Sequence, residues 1–176
     1  GMLARTSRPA GDLRHEVARG LDCIRHRGPD GSGIWVSPRA GVGFGHARLS
    51  VIDLATGDQP MSSPDGRYTI IYNGEVYNYL ELREELGADT FRTTSGTEVI
   101  LRAFMKWGPD SVTRLGGMFA IGIWDAQDRQ LFLARDRFGI KPLYWAQTRS
   151  GLYFGSEMKA LRPFLDQAVA NKAALS

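Results

Sequence analysis

The chain has 176 residues, enough for one domain with a sizeable core, and its balance of 43% hydrophobic and 23% charged residues is that of an ordinary globular protein. A net charge of +3 spread along the chain, without a Lys/Arg run, argues against a nucleic-acid partner. No apolar stretch has the length of a membrane span, and the first residues carry Arg without an apolar h-region, so neither a membrane anchor nor a signal peptide is expected.

Residues 1–11, "GMLARTSRPAG", read as a tag remnant followed by a loop. A helix is predicted over 12–25, capped by Asp12, with Leu13, Val17, Leu21 and Ile24 in one stripe. "RHRGPDGSG" follows as a Gly/Pro-rich loop, then the strands "GIWVS" and "VGFGHARLSVID". A polar connection, "LATGDQPMSSPDGR", leads to the strand "YTIIYN". Asn73-Gly74 would ordinarily signal a hairpin, but a helix start follows instead, with Asn78 as cap and Glu81 completing a capping box. A second helix begins at Ser95, where "SGTE" is another capping box, and buries Val99, Ile100, Ala103, Phe104 and Trp107. A helical turn near 111–115 precedes four strand-like runs: "GMFAIGIWD", "RQLFLARD", "PLYWAQT" and "GLYFGSE". A short helix over 157–165 leads into an alanine-rich tail, 166–176. Strands at both ends with helices between them argue an α+β domain of two largely antiparallel sheets.

Several residues could carry chemistry. Arg48 is either a strand-edge arginine in solvent or a guanidinium fork for a carboxylate. Asn73-Gly74 is either a plain turn or an oxyanion hole, an Asn amide and a Gly N–H aimed at one point. Glu75 is a surface acid or a partner for a ligand amide or amine. "LARDRFGIKPLYW" reads as an Asp/Arg ion-pair network at a strand end followed by a Gly turn. "RHRGPDGSG" lacks the spacing and trailing GK[ST] of a phosphate loop, and His26 within it reads as structural. The lone cysteine, Cys23, reads as a small buried hydrophobe; a single cysteine excludes an intrachain disulfide and fits a reducing cytoplasm. It and the three His show no metal-ligand spacing, so no metal is expected.

Taken in order, "RHRGPDGSG", "GHARLSVIDL", "GDQPM", "YNGEVYNYLELREEL", "GTEVILRAF", "LGGMFAIGIWD", "ARDRFGIKPLYW" and "GSEMKAL" resemble the N-terminal glutaminase domain of the glutamine-hydrolysing asparagine synthetases, which are class II glutamine amidotransferases. The resemblance covers roughly 12–165 and implies the N-terminal nucleophile hydrolase fold, an αββα sandwich of two antiparallel sheets, here with its first strand largely missing. It implies that Asn73 and Gly74 form an oxyanion hole and that Glu75 lines a glutamine site. It further implies that Arg48 holds the glutamine α-carboxylate, with Leu49, Ser50, Val51 and Ile52 beside it. It also implies delivery of ammonia to a C-terminal synthetase domain, beyond the 166–176 tail, that uses ATP and Mg; no cofactor is implied for the glutaminase domain itself. A homodimer is one implied assembly.

Two departures stand out. The family begins Met-Cys-Gly-Ile, and the cysteine exposed by Met removal is nucleophile while its own α-amine is the base. Here the chain begins with Gly1-Met2, and Cys23 is internal; the chain as given is therefore predicted not to hydrolyse glutamine. The family also carries Asp, for the glutamine α-ammonium, where this chain has Gly96. Three readings remain: an enzyme domain lacking its N-terminus, a pseudo-glutaminase scaffold, or the glutaminase of another class II amidotransferase acting on a sugar or phosphoribosyl acceptor.

Overall fold

The computed structural model describes residues 2–7, 13–37, 40–49 and 58–165. Among them nine strands form two antiparallel sheets with helices on both outer faces. Sheet A contains β1 (Met2–Ser7), β2 (Gly31–Val36), β3 (Val42–Arg48), β8 (Tyr144–Thr148) and β9 (Gly151–Gly155), in the order β2-β3-β1-β9-β8. Sheet B contains β4 (Met61–Ser62), β5 (Tyr68–Val76), β6 (Gly117–Asp125) and β7 (Gln130–Arg135), in chain order. The αββα sandwich implied by the motifs is therefore present.

The N-terminus corrects an expectation. Met2–Ser7 is not a loop; it is the central strand of sheet A, paired with β3 on one side and β9 on the other. Met2 is fully buried, and its N–H donates to Ser156 Oγ at 3.0 Å. The sheet thus has no gap at the place where a missing first strand was expected, and the bare edge that would have invited self-association does not exist there.

Three apolar layers hold the sandwich. Met2, Val42, Phe44 and Phe154 of sheet A meet Ile71, Ala120 and Trp124 of sheet B between the sheets. Helix α1 (Leu13–Asp22) covers sheet A from outside through Val17 and Leu21, with α4 (Met158–Leu161) beside it. Gly43 and Gly45 let α1 come that close: a Cβ on either would stand 2.7 Å from Val17. Helix α3 (Gly96–Trp107) covers sheet B, burying Val99, Ile100 and Phe104 against Ile70, Tyr72 and Ile121, and α2 (Tyr79–Leu86) packs beside it. Each such aliphatic or aromatic burial stabilises by about 1.5–3 kcal/mol.

The helix starts partly follow the sequence signals. Ser95 caps α3, its side chain accepting from the Thr97 N–H at 3.0 Å. Glu98 does not reach back to Ser95 as a capping box requires. Its carboxylate instead accepts from the N–H groups of Arg92 and Thr93, the Thr93 hydroxyl and Arg102 Nε. Asn78 precedes α2 without capping it: Oδ1 accepts from the Gly116 N–H, and Nδ2 donates to the Arg114 carbonyl. Asn78 thus prefers partners 36 and 38 residues away, whereas Glu98 prefers others within six residues of itself. Asp12, the expected cap of α1, lies outside the described residues.

Candidate functional site

The two sheets bring Arg48, His46, Asn73, Gly74 and Glu75 to one end of the sandwich. On β3, Val42, Phe44, His46 and Arg48 share one face by the period of two, and Val42 and Phe44 belong to the layer between the sheets. On β5, Asn73 and Glu75 share the face of Ile71, which belongs to the same layer. The opposite face carries Tyr72, packed under α3.

Asn73 pairs with Ala120, and Gly74 with Phe119, in the β5–β6 ladder. Phe119 turns its hydrogen-bonding groups toward the far side: its N–H donates to Asp136 Oδ2, and its carbonyl accepts from the Asp136 N–H. The alternation of an antiparallel ladder then points the Gly74 N–H away from β6, out of the same edge as the Tyr72 N–H. Tyr72 is met there by Gln59 Oε1 at 2.6 Å, whereas β4 pairs with β5 no further than Ile70. Glycine at 74 has a further cause, because a Cβ would stand 2.1 Å from the Met118 carbonyl oxygen. The close backbone approach that selects glycine is thus to β6.

Asn73 Nδ2 is buried and has no hydrogen-bond partner among the described residues. Leaving a buried donor unpaired costs about 1–3 kcal/mol, so such groups are rare in finished cores. Beside it, His46 is buried and hydrogen-bonded to the Tyr72 backbone. Burial, reinforced by the nearby Arg48 cation, drops its imidazole from 6.5 to about 3, so it is neutral at physiological pH.

Arg48 is not a solvent arginine. Its side chain is only 17% exposed, and Nη1 donates to Asp58 Oδ1 at 2.6 Å. The guanidinium therefore does grip a carboxylate, and the one it grips is 91% exposed. Leu49 is exposed just beyond the strand, and Glu75 is half-buried on β5. Ser50, Val51 and Ile52 lie outside the described residues. Gly96 is the first residue of α3, and an added Cβ there would meet nothing within 4 Å among the described residues.

The remaining candidates sit elsewhere. Cys23 follows α1 on the outer side of sheet A, half-buried rather than buried, with Sγ donating to the Arg19 carbonyl at 3.5 Å. Sheet A stands between it and the layer that holds Asn73. His26 Nε2 meets Glu157 Oε1 at 2.9 Å, and Arg27 and Lys159 join the same carboxylate. Burial opposes ionisation of Glu157, but those three donors outweigh it and hold its carboxyl at about 2. The expected ion-pair network at Asp136 is replaced by a backbone clamp. Its carboxylate accepts from the N–H groups of Phe119, Ile140 and Lys141, and the chain turns at Gly139, φ 65°. Gln59 was not among the expected site residues, and its contacts are with residues 13 and 38 positions away, which no local pattern announces. Among the described residues no group of three or more His, Cys, Asp and Glu could hold a metal, and no helix is long and apolar enough to cross a membrane.

Known proteins share both the sequence and the shape. The family of the glutamine amidotransferase domain matches over residues 1–176. Asparagine synthetase [glutamine-hydrolyzing] 1 of Bacillus subtilis is 47% identical over 154 residues, 86% of this chain and 24% of that protein. A putative asparagine synthetase [glutamine-hydrolyzing] of Mycobacterium tuberculosis is 44% identical over 92% of this chain and 27% of its own length. The chain thus spans about a quarter of the curated relatives it matches. Among solved structures, glutamine phosphoribosylpyrophosphate amidotransferase from B. subtilis superposes with a TM-score of 0.77 at 20% identity, covering 92% of this chain and 42% of that one. That likeness shows the fold. The chain belongs to the glutamine amidotransferase domain family.

Proposed function

We propose that this chain is the glutamine-binding domain of an asparagine synthetase-like enzyme. In that enzyme ammonia released from the glutamine side chain feeds an ATP- and Mg-dependent amidation in a separate synthetase domain. Arg48 holds the α-carboxylate in a charge-assisted fork. Asn73 Nδ2 and the Gly74 N–H donate to the oxyanion that develops when the side-chain amide is attacked. Glu75, Leu49 and the neighbouring Ser50, Val51 and Ile52 line the site. Gly96 opens the wall where the ligand ammonium lies.

The observation that carries this reading is the buried, unpaired Asn73 Nδ2 at the end of the sandwich that also holds Arg48. Arg27 Nε and Trp124 Nε1 are also buried without a partner among the described residues, and what distinguishes Asn73 Nδ2 is its place beside Gly74 at the Arg48 end of the sandwich. Isothermal calorimetry with glutamine tests it: the parent chain binds, Arg48→Ala and Asn73→Ala bind at least about tenfold more weakly, and Cys23→Ala binds like the parent. Absence of binding by a folded parent chain would sink the reading.

Turnover needs a thiol that the described site does not contain, because Cys23 lies across sheet A. Glutamate release by this chain is therefore expected at background level. A scaffold role is the second reading, and the observation behind it is Gly96, which carries no carboxylate and where a Cβ would find open space among the described residues.

A further inference from the structure

The motif "GDQPM" contains Gln59, which has no role in the site as drawn so far. Strand β4 pairs Met61 with Ile70 and Ser62 with Thr69. The same register continued would set Gln59 opposite Tyr72, but Pro60 between them has no N–H and the ladder stops. The Gln59 side chain takes over where the backbone leaves off. Oε1 accepts from the Tyr72 N–H at 2.6 Å, and Nε2 donates to Thr97 Oγ1 at 3.2 Å. Since a backbone N–H can only donate, the orientation of the amide follows from chemistry. The Gln59 backbone is itself wedged against sheet A: a Cβ on Gly33 would stand 1.9 Å from its carbonyl oxygen.

Tyr72 immediately precedes Asn73, and Thr97 immediately follows Gly96. One planar amide therefore joins the β5 corner to the first turn of α3. His46 on sheet A is also hydrogen-bonded to the Tyr72 backbone, so the residue before Asn73 has a second side-chain tie besides Gln59.

We infer that Gln59 is a positioning residue: it fixes the gap between the two walls of the glutamine site, the Asn73-Gly74 corner and the Gly96 turn. This rests on the glutamine reading above. Apolar packing of α3 on sheet B brings these walls near each other, but such contacts are non-directional. A two-ended hydrogen bond supplies the direction. Glutamine suits the task because a single rigid plane offers both an acceptor and a donor. A methionine of similar length offers neither at useful strength.

The test uses three variants of the full chain: Gln59→Met breaks both ends, Thr97→Val breaks only the α3 end, and Thr97→Ser keeps the hydroxyl. Two measurements are made on each. The first, without ligand, is the ¹⁵N–¹H spectrum of the Asn73 side-chain amide and the Gly74 and Gly96 N–H groups, with Gly122 in the middle of β6 as the reference for an intact fold. The second is the glutamine dissociation constant by calorimetry. Gln59→Met and Thr97→Val should move the Asn73, Gly74 and Gly96 signals while leaving Gly122 in place, and should weaken glutamine about tenfold; Thr97→Ser should restore both. Unmoved site signals in a folded Thr97→Val chain would overturn the inference, even if Gln59→Met fails to fold. Moved signals with glutamine affinity unchanged would overturn it as well. Moved signals in a chain whose parent binds no glutamine would uphold the tie between the walls and sink the glutamine reading instead.

Discussion

Asp136 and Asn73 lie at the same end of sheet B, on or just past strands that flank β6, and both place polar atoms out of water. The Asp136 carboxylate is saturated, accepting from the N–H groups of Phe119, Ile140 and Lys141. Asn73 Nδ2 has no partner among the described residues. Burial alone would raise the Asp136 carboxyl, yet those N–H bonds outweigh it and hold it below its ordinary value. Glu98 repeats the saturated pattern, with the N–H groups of Arg92 and Thr93, the Thr93 hydroxyl and Arg102 around it. The difference separates two uses of a buried polar group. A saturated one ties loops together and contributes to folding. An unsaturated one subtracts from folding, and at Asn73 the proposed glutamine would complete it.

If that distinction is right, removal of a saturated carboxylate should be the most damaging change. Glu98→Ala leaves Arg102 and the 92–93 backbone donors without their acceptor, and should destabilise by about 3–5 kcal/mol in urea unfolding. Asp136→Ala strands three N–H groups and should come close behind. A loss below ~1 kcal/mol in both would erase the contrast with Asn73.

The neutral buried His46 predicts how stability follows pH. Its imidazole sits at about 3 in the folded chain against 6.5 in the unfolded one. Above pH 6.5 neither state takes up the proton and nothing is lost. Between 6.5 and 3 only the unfolded state is protonated, so stability falls by about 1.4 kcal/mol per pH unit. Comparison of urea midpoints at pH 7 and pH 5 should show this loss, and His46→Gln should abolish most of it. Below the ordinary carboxylate range, protonation of Glu98, Asp136 and Glu157 should bring a second loss, since all three are held low in the folded chain.

Gly96→Asp tests whether the empty wall was built for a charge. The position has open space for a Cβ, it lies outside the positive-φ residues, and an acid in the first turn suits the helix dipole. A well-formed contact to the glutamine ammonium is worth about 1.5–3 kcal/mol, a roughly ten- to hundredfold gain in affinity. In a wet site the gain falls to ~0–1 kcal/mol. Arg48→Ala in the same chain should cancel it, because the carboxylate end is then loose.

Asn73→Ala should have the smallest effect on folding, within ~0.5 kcal/mol of the parent or slightly stabilising, because the unpaired donor is gone. On the proposed reading its effect falls on glutamine affinity instead. A stability loss as large as that of Asp136→Ala would mean that Asn73 is structural after all.

The ordered motifs from "RHRGPDGSG" to "GSEMKAL" determined the family, and with it the two-sheet sandwich and the end of it where Arg48, Asn73 and Gly74 meet. Local chemistry also determined the start of α3, since a Ser95 cap and an apolar stripe at helical spacing act within a few residues of one another. What the tertiary structure alone decided is long-range. "MLARTS" has no clear alternation, and it is a strand because β3 and β9 pair with it from both sides. Asn78 abandons its local capping partners for Gly116 and Arg114, 38 and 36 residues away. Asp136, read as an ion-pairing residue among its arginines, meets the backbone of a folded loop and of β6. Gln59 becomes a joint only once Tyr72 and Thr97, far apart in sequence, stand one amide apart. Periodicity and caps act over one or two turns of chain, whereas a side-chain hydrogen bond across a fold is chosen by which backbone groups the packing leaves without partners.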